Sequence, residues 1–189
     1  PAVAGGDVAV GAKASTLGIG LDLSYGLTEQ LQLRGSLHSY TYDTTETEED
    51  IEYDAELELG SFGVLLDWYP FGSGFHLSAG IFSNDNEIGA TGVPTGGTFE
   101  IGDTTYPAEA VGTLTGLVTF DSTAPYLGIG FGNPLVGSRW DFRFELGVYL
   151  QGSPDVLLDA ENADMVPGLA DDLQQEEREL EDELEDFDF

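Results

Sequence analysis

The chain has 189 residues and a mass of 20.2 kDa, enough for one domain with an interior, and it contains no cysteine. Disulfides, thiol nucleophiles and cysteine-ligated metals are thereby excluded. A net charge of −31 and a pI near 4.1 exclude a nucleic-acid binder, which needs basic residues against phosphate, while the 26 glycines and 11% aromatics point to a β protein with tight turns.

Alternation with a period of two recurs along most of the chain and predicts strands in order. In the first, about 7–15, Val8, Val10, Ala12 and Ala14 oppose Gly11, Lys13 and Ser15. In the second, about 17–27, Leu17, Ile19, Leu21, Leu23 and Tyr25 oppose Gly18, Gly20, Asp22 and Ser24. The third, about 30–42, sets Leu31, Leu33 and Leu37 against Gln32, Arg34, Ser36 and His38. The fourth, about 52–69, changes phase: its apolar residues are odd at Tyr53, Leu57 and Leu59, then even at Phe62, Val64, Leu66 and Trp68. A β-bulge at Gly60–Ser61 is expected to bring them onto one face. The fifth and sixth are expected at about 74–88 and 115–132. The seventh, about 139–152, carries WDFRFELGVYL, in which Trp140, Phe142, Phe144, Leu146, Val148 and Leu150 oppose Asp141, Arg143, Glu145, Gly147 and Tyr149.

GLTEQL, YPFGSGF and GNPLVGSRW are short connections, whereas TYDTTETEEDIEYD, the run from Gly89 to Thr115 and everything after Gly152 are long and acidic. Short turns at one end and long loops at the other are the layout of an outer-membrane barrel. A strand of about ten residues, tilted by about 45°, covers one hydrocarbon core, so WDFRFELGVYL is read as lipid-facing on one side and lumen-facing on the other. Tyr25, Trp68, Tyr69, Phe71 and Trp140 are expected in an interfacial aromatic girdle. Such barrels are even-numbered, so about eight strands are expected, of which seven are visible and the closing one is lacking. The start at Pro1 is expected to follow removal of a signal peptide.

The segments GAKASTLGIGLDLSYGL, LLDWYPFGSGFHLSAGIF and LGVYLQGSPDV resemble bacterial outer-membrane β-barrel proteins of the OmpA, OmpX and OmpW small-barrel architecture. The resemblance spans about residues 7–160 and implies a fold, with no established activity attached. The expected fold class is all-β, an antiparallel up-and-down transmembrane barrel over 1–189. Residues 153–189 form its last extracellular loop, which carries an acidic amphipathic helix at about 168–187. The rival architecture is a soluble lipocalin-like carrier, with the faces reversed and a small ligand inside.

Basic residues are scarce, and Lys13, Arg34 and Arg143 share predicted lumen faces with Asp22, Glu58, Asp67, Asp141 and Glu145. Charges on a buried face need partners, so a lumenal ion-pair network is expected. His38 and His76 lie on separate strands and are not expected to form one site. No GxSxG, HExxH, P-loop or EF-hand pattern occurs, and neither an enzyme activity nor a cofactor or metal is expected.

After the Pro167–Gly168 break, Leu169, Leu173, Leu180, Leu184 and Phe187 form a helical stripe among 11 acids and one base between Asp171 and Asp188. Asp171, Asp172, Glu176, Glu177, Glu181, Asp182 and Glu185 are the candidate contacts to an envelope partner, or to cations bridging to lipopolysaccharide. The expected function is a non-enzymatic scaffold or surface-contact protein of the Gram-negative outer membrane, surrounded by its lipid and lipopolysaccharide. The alternative is a narrow channel for small solutes or cations, steered by the acidic mouth.

Overall fold

The structure is a computed structural model and describes residues 6–48, 51–136 and 141–185. In chain order its elements are β1 (Val8–Ser15), β2 (Gly18–Gly26), β3 (Leu31–Glu48), β4 (Ile51–Trp68), β5 (Phe75–Asn84) and β6 (Glu87–Pro94). Then come β7 (Thr98–Ile101), β8 (Thr104–Pro107), α1 (Ala108–Val111), β9 (Leu114–Thr119) and β10 (Thr123–Phe131). The last are β11 (Phe144–Tyr149), β12 (Asp155–Ala160) and α2 (Leu169–Glu185). They fold into two compact units: Pro1–Tyr40, Leu59–Asp85 and Asp121–Gly152 in the first, and Thr41–Glu58, Asn86–Phe120 and Ser153–Phe189 in the second.

The first unit is an antiparallel meander in the order β1-β2-β3-β4-β5-β10-β11, with β3 and β4 each contributing the part that lies in this unit. Sequential neighbours pair directly, as in Val8↔Tyr25 through Ser15↔Gly18, so short turns suffice to connect them. Among the described residues β1 and β11 stand at the two ends of this path. Its solvation is inverted. Phe142, Phe144 and Leu146 are 81%, 74% and 79% exposed, while Arg34 is 2% and Asp67 and His76 are 0% exposed. Leu21, Leu23, Phe62, Leu66, Ile81, Leu127 and Ile129 are likewise exposed. The buried face holds one apolar cluster, Leu65, Phe82 and Ala124, backed by Tyr126 and Tyr149. This arrangement is the reverse of the apolar interior of a lipocalin-like carrier.

Three expected strands are cut short. The fifth stops at Asn84 and the sixth is split into β9 and β10. At these interruptions hydrogen bonding leaves the regular ladder: Asn84 N–H donates to Ser122 O (2.9 Å), Asn84 Nδ2 to Asp121 O (3.0 Å) and Asp121 N–H to Gln151 O (3.1 Å). The seventh is regular over Phe144–Tyr149, and Trp140 lies outside the described residues. Conversely, β3 runs on to Glu48 through a segment read as loop on its acidity, where its threonines and tyrosines favour a strand.

The second unit obeys the usual solvation rule. Its sheet pairs β4 (Ile51–Glu58) with β6, β6 with β9 and β9 with β12, all antiparallel. Ile51, Phe99, Ile101, Tyr106, Ala108, Val111, Ala160, Leu169 and Leu173 form its core. β12 falls in what was expected to be loop: in DVLLDA the residues Val156, Leu158 and Ala160 turn inward while Asp155, Leu157 and Asp159 face out.

On the side of β4 that pairs with β6 and β5, no bulge of the kind expected at Gly60–Ser61 is present. Pairing runs Ile51↔Pro94 to Glu58↔Glu87 and resumes at Ser61↔Asn84 to Trp68↔Leu77 with no residue inserted. The apolar phase of β4 changes because its environment does. In the second unit Ile51 is buried and Leu57 half-buried, with Glu52, Asp54, Glu56 and Glu58 exposed; in the first, Ser61, Gly63, Leu65 and Asp67 are buried, with Phe62, Val64, Leu66 and Trp68 exposed.

Leu169 is fully buried, so Leu169→Ala is expected to destabilise the second unit by about 2–5 kcal/mol. Leu184→Ala, at a 40% exposed position, is expected to change stability by less than about 0.5 kcal/mol. Urea unfolding followed by the helical circular dichroism signal checks both.

Candidate functional site

The buried face of the first unit carries an ion-pair network that strand register dictates. Arg34 on β3 and Asp22 on β2 point to the same face as Asp67 on β4, Ser78 on β5 and Glu145 on β11, and Asp67 and Ser78 are directly opposite in the ladder. The Arg34 guanidinium donates through Nε and Nη2 to Asp67 Oδ2 and Oδ1, both at 2.9 Å. Its Nη2 also reaches Glu145 Oε1 and Oε2 at 3.0 and 2.8 Å, and its Nη1 lies 3.5 Å from Asp22 Oδ2. Lys13 Nζ lies 2.9 Å from Asp22 Oδ1 and donates to Ser36 Oγ, which donates to Asp22 at 2.7 Å. Arg143 Nη1 lies 3.3 Å from Asp67 Oδ2, and its Nη2 donates to Tyr69 OH at 3.0 Å.

Glu145 is the most shared acceptor. Besides Arg34 it contacts His76 Nε2 (3.1 Å) and takes bonds from Ser78 Oγ (3.2 Å) and Tyr126 OH (2.8 Å). Glycines make room for this packing. A Cβ on Gly147 would meet the Tyr126 hydroxyl at 2.3 Å, and one on Gly130 would meet His76 Nε2 at 2.5 Å. Three fixed cations, Lys13, Arg34 and Arg143, thus face three carboxylates, Asp22, Asp67 and Glu145. Charge balance with near-saturated hydrogen bonding is what a low-dielectric interior requires.

Of the residues expected in the network, Lys13, Asp22, Arg34, Asp67, Arg143 and Glu145 come together; Glu58 and Asp141 do not. Glu58 belongs to the second unit, exposed and directly opposite Glu87. Asp141 is exposed, and its carboxylate accepts from the Phe142 N–H at 2.7 Å. Tyr69, expected in an exposed girdle with Tyr25, Trp68 and Phe71, is fully buried and donates to Gly132 O at 3.4 Å. Tyr25, Trp68 and Phe71 are exposed.

Ser36, Ser78 and Tyr126 join the network without being among the residues expected there, as does His76, which the sequence places apart from His38. The signal for Ser78 and His76 was their shared parity in FHLSAGIF, and for Tyr126 the glycines that follow it in YLGIGFG. His38 and His76 have separate partners, Ser61 Oγ at 3.1 Å for the first and Glu145 for the second. Gln32 Nε2 donates to Asn133 Oδ1 at 2.8 Å, leaving Gln32 Oε1, Asn133 Nδ2 and Arg143 Nε buried without a partner among the described residues. Among those residues no group of three or more histidines and carboxylates is arranged to hold a metal ion.

In the second unit four of the acids expected to contact partners or cations bind this chain instead. Asp172 accepts from Tyr106 OH (2.6 Å), Glu176 from Gly102 N–H (2.9 Å), Glu177 from Leu158 N–H (2.8 Å) and Glu181 from Val156 N–H (3.1 Å). Asp171 and Asp182 are exposed, and the side chain of Glu185 and all of Phe187 lie outside the described residues.

The chain matches no family model and no curated protein sequence. Solved structures share its fold, among them two from Acinetobacter baumannii. Acinetobacter baumannii CarO2 is 22% identical with a TM-score of 0.60, over 94% of this chain and 91% of that one. Acinetobacter baumannii CarO is 21% identical with a TM-score of 0.58, over 91% and 87%. The fold is CarO-like.

Arg34→Ala would leave Asp67 and Glu145 buried without their main cation, at an expected cost of about 3–5 kcal/mol. Arg34→Lys rescues this only in part, since a point charge cannot fork across two carboxylates. Glu58→Gln is expected to be neutral or slightly stabilising, because it relieves a like-charge cross-strand pair. Denaturant midpoints in detergent micelles rank the three.

The Tyr106–Asp172 bond holds the Asp172 carboxyl below the usual carboxylate range and pushes the Tyr106 phenol up. The depressed acid contributes stability above the unfolded carboxylate range, lost as pH falls through the folded value. The raised phenol contributes below the unfolded phenol range, lost as pH rises through the folded value. Tyr106→Phe is therefore expected to flatten both limbs of the pH–stability curve of α2, followed by circular dichroism.

Proposed function

We propose that the chain is a Gram-negative outer-membrane β-barrel protein, its strands in contact with lipid and lipopolysaccharide, acting as a non-enzymatic scaffold that presents an acidic folded unit outside the membrane. The fold it shares with Acinetobacter baumannii CarO is in keeping with that reading. The observation that carries the reading is the inverted solvation of the first unit. Side chains such as Phe144 and Leu146 are exposed in a continuous band while Arg34, Asp67 and His76 are buried. In water that arrangement would expose far more contiguous hydrocarbon than a soluble monomer tolerates. In a bilayer it is the favourable one, with sequential strands of the meander paired in antiparallel ladders.

The scaffold reading rests on how the buried face is filled. Lys13, Asp22, Arg34, Asp67, Arg143 and Glu145 tie one another across five strands, which supports a side-chain-filled interior. A second reading, a narrow channel, draws on Gln32 Oε1, Asn133 Nδ2 and Arg143 Nε, buried polar atoms without a partner among the described residues.

Membrane fractionation, gel migration and planar-bilayer recordings test these readings together. The expected results are recovery with outer membranes, faster migration of the unheated protein and no discrete conductance. Discrete openings that change in Glu145→Gln would favour the channel. Recovery in the soluble fraction without detergent would overturn both.

A further inference from the structure

One strand edge of the second unit is covered by a helix where a strand would ordinarily lie. β12 pairs with β9 along one edge, from Asp155↔Thr119 to Ala160↔Leu114. Two of its other N–H groups, on Val156 and Leu158, donate to Glu181 and Glu177 of α2. The match is geometric. Four residues of helix rise about 6 Å, close to the about 6.6 Å between alternate residues of a strand, so carboxylates at i and i+4 meet alternate N–H groups.

This half of α2 is held by those carboxylates more than by apolar burial: Leu169 and Leu173 are buried, but Leu180 is half-buried and Leu184 exposed. Local opening is easiest where few apolar contacts resist it. Next to the covered edge, the outward face of β12 presents Asp155, Leu157 and Asp159, with Leu157 58% exposed.

We propose that the β12 edge is a docking site for an extended basic segment of another protein, which adds as a strand beside β12 and displaces the C-terminal half of α2. The incoming segment carries Lys or Arg opposite Asp155 and Asp159 and an apolar residue opposite Leu157. Its carbonyls take over the Val156 and Leu158 N–H groups. A second copy of this chain is the wrong occupant. Antiparallel β12 on β12 would set Asp155 against Asp159 of the partner, and the chain has 5 basic residues to 36 acids. The inference stands apart from the membrane reading, since it uses the second unit alone.

The test uses the full-length chain in detergent micelles and the end-blocked peptide Lys-Thr-Val-Thr-Lys. The controls are Glu-Thr-Val-Thr-Glu and a backbone N-methylated form of the lysine peptide. The lysine peptide is expected to bind, and neither control. On binding, amide exchange should accelerate in α2 from Glu177 onward while Val156 and Leu158 stay protected. Glu177→Ala with Glu181→Ala removes the cover and should tighten binding about tenfold, because the peptide no longer competes with two carboxylate bonds. Equal or weaker binding by that variant would mean that the peptide rests on the acidic face of α2, and would overturn the proposal. So would binding of the N-methylated peptide, unchanged exchange in α2 of the unsubstituted chain, or self-association in place of peptide binding.

Discussion

The Arg34 guanidinium is the group on which the first unit depends. A sheet that turns its hydrocarbon outward cannot be held together by burying hydrocarbon, and its interior has to cohere by other means. Here one planar, permanently charged fork joins Asp67 on β4 and Glu145 on β11 and approaches Asp22 on β2. Arginine suits the position because its donors are fixed in a plane and it keeps its charge when desolvated. The remaining members complete the balance: Lys13 neutralises Asp22, and Arg143 shares Asp67. Removing Arg34 leaves Asp67, which is fully buried, without its main cation, so the network's members depend on one another.

The second unit shows the opposite solution. With Ile51, Phe99, Ile101, Val111 and Leu169 buried together, it is organised like any water-soluble domain, and its acids serve local geometry. α2 illustrates this: Glu177 and Glu181 end on strand N–H groups, Glu176 on the Gly102 turn and Asp172 on the Tyr106 hydroxyl. A helix with nine acids between Asp171 and Glu185 would repel itself in isolation, and its attachment to unpaired donors offsets part of that repulsion.

The strands of the first unit were legible because a half-buried sheet writes its two faces as strict alternation, and WDFRFELGVYL states both faces in one segment. The joining of Lys13, Asp22, Arg34, Asp67, Arg143 and Glu145 followed from the same parity. Sequence reasoning lost its footing where the solvent changes. Read with one solvation rule, the phase shift in β4 implies an inserted residue; the ladder shows an unbroken register and a reversed rule. Glu58 went to the wrong group for that reason, and β12 was overlooked because its acids look like loop. The carboxylate-to-edge bonds of α2 had no signal at all, since they depend on which strand the helix meets.

The most direct measurement is the environment of the outward face, which the absence of native cysteine makes accessible. Single cysteines at positions 127, 144 and 146, and at the exposed position 155 of the second unit as a water-facing reference, would carry a nitroxide in protein reconstituted into bilayers. Collisions with oxygen and with a water-soluble nickel complex would then be compared by electron paramagnetic resonance. The expected result is high oxygen and low nickel accessibility at 127, 144 and 146, and the reverse at 155. Nickel access at 127, 144 and 146 equal to that of a water-exposed site would contradict the assignment of hydrocarbon to the outside, and with it the ionic interior built around Arg34.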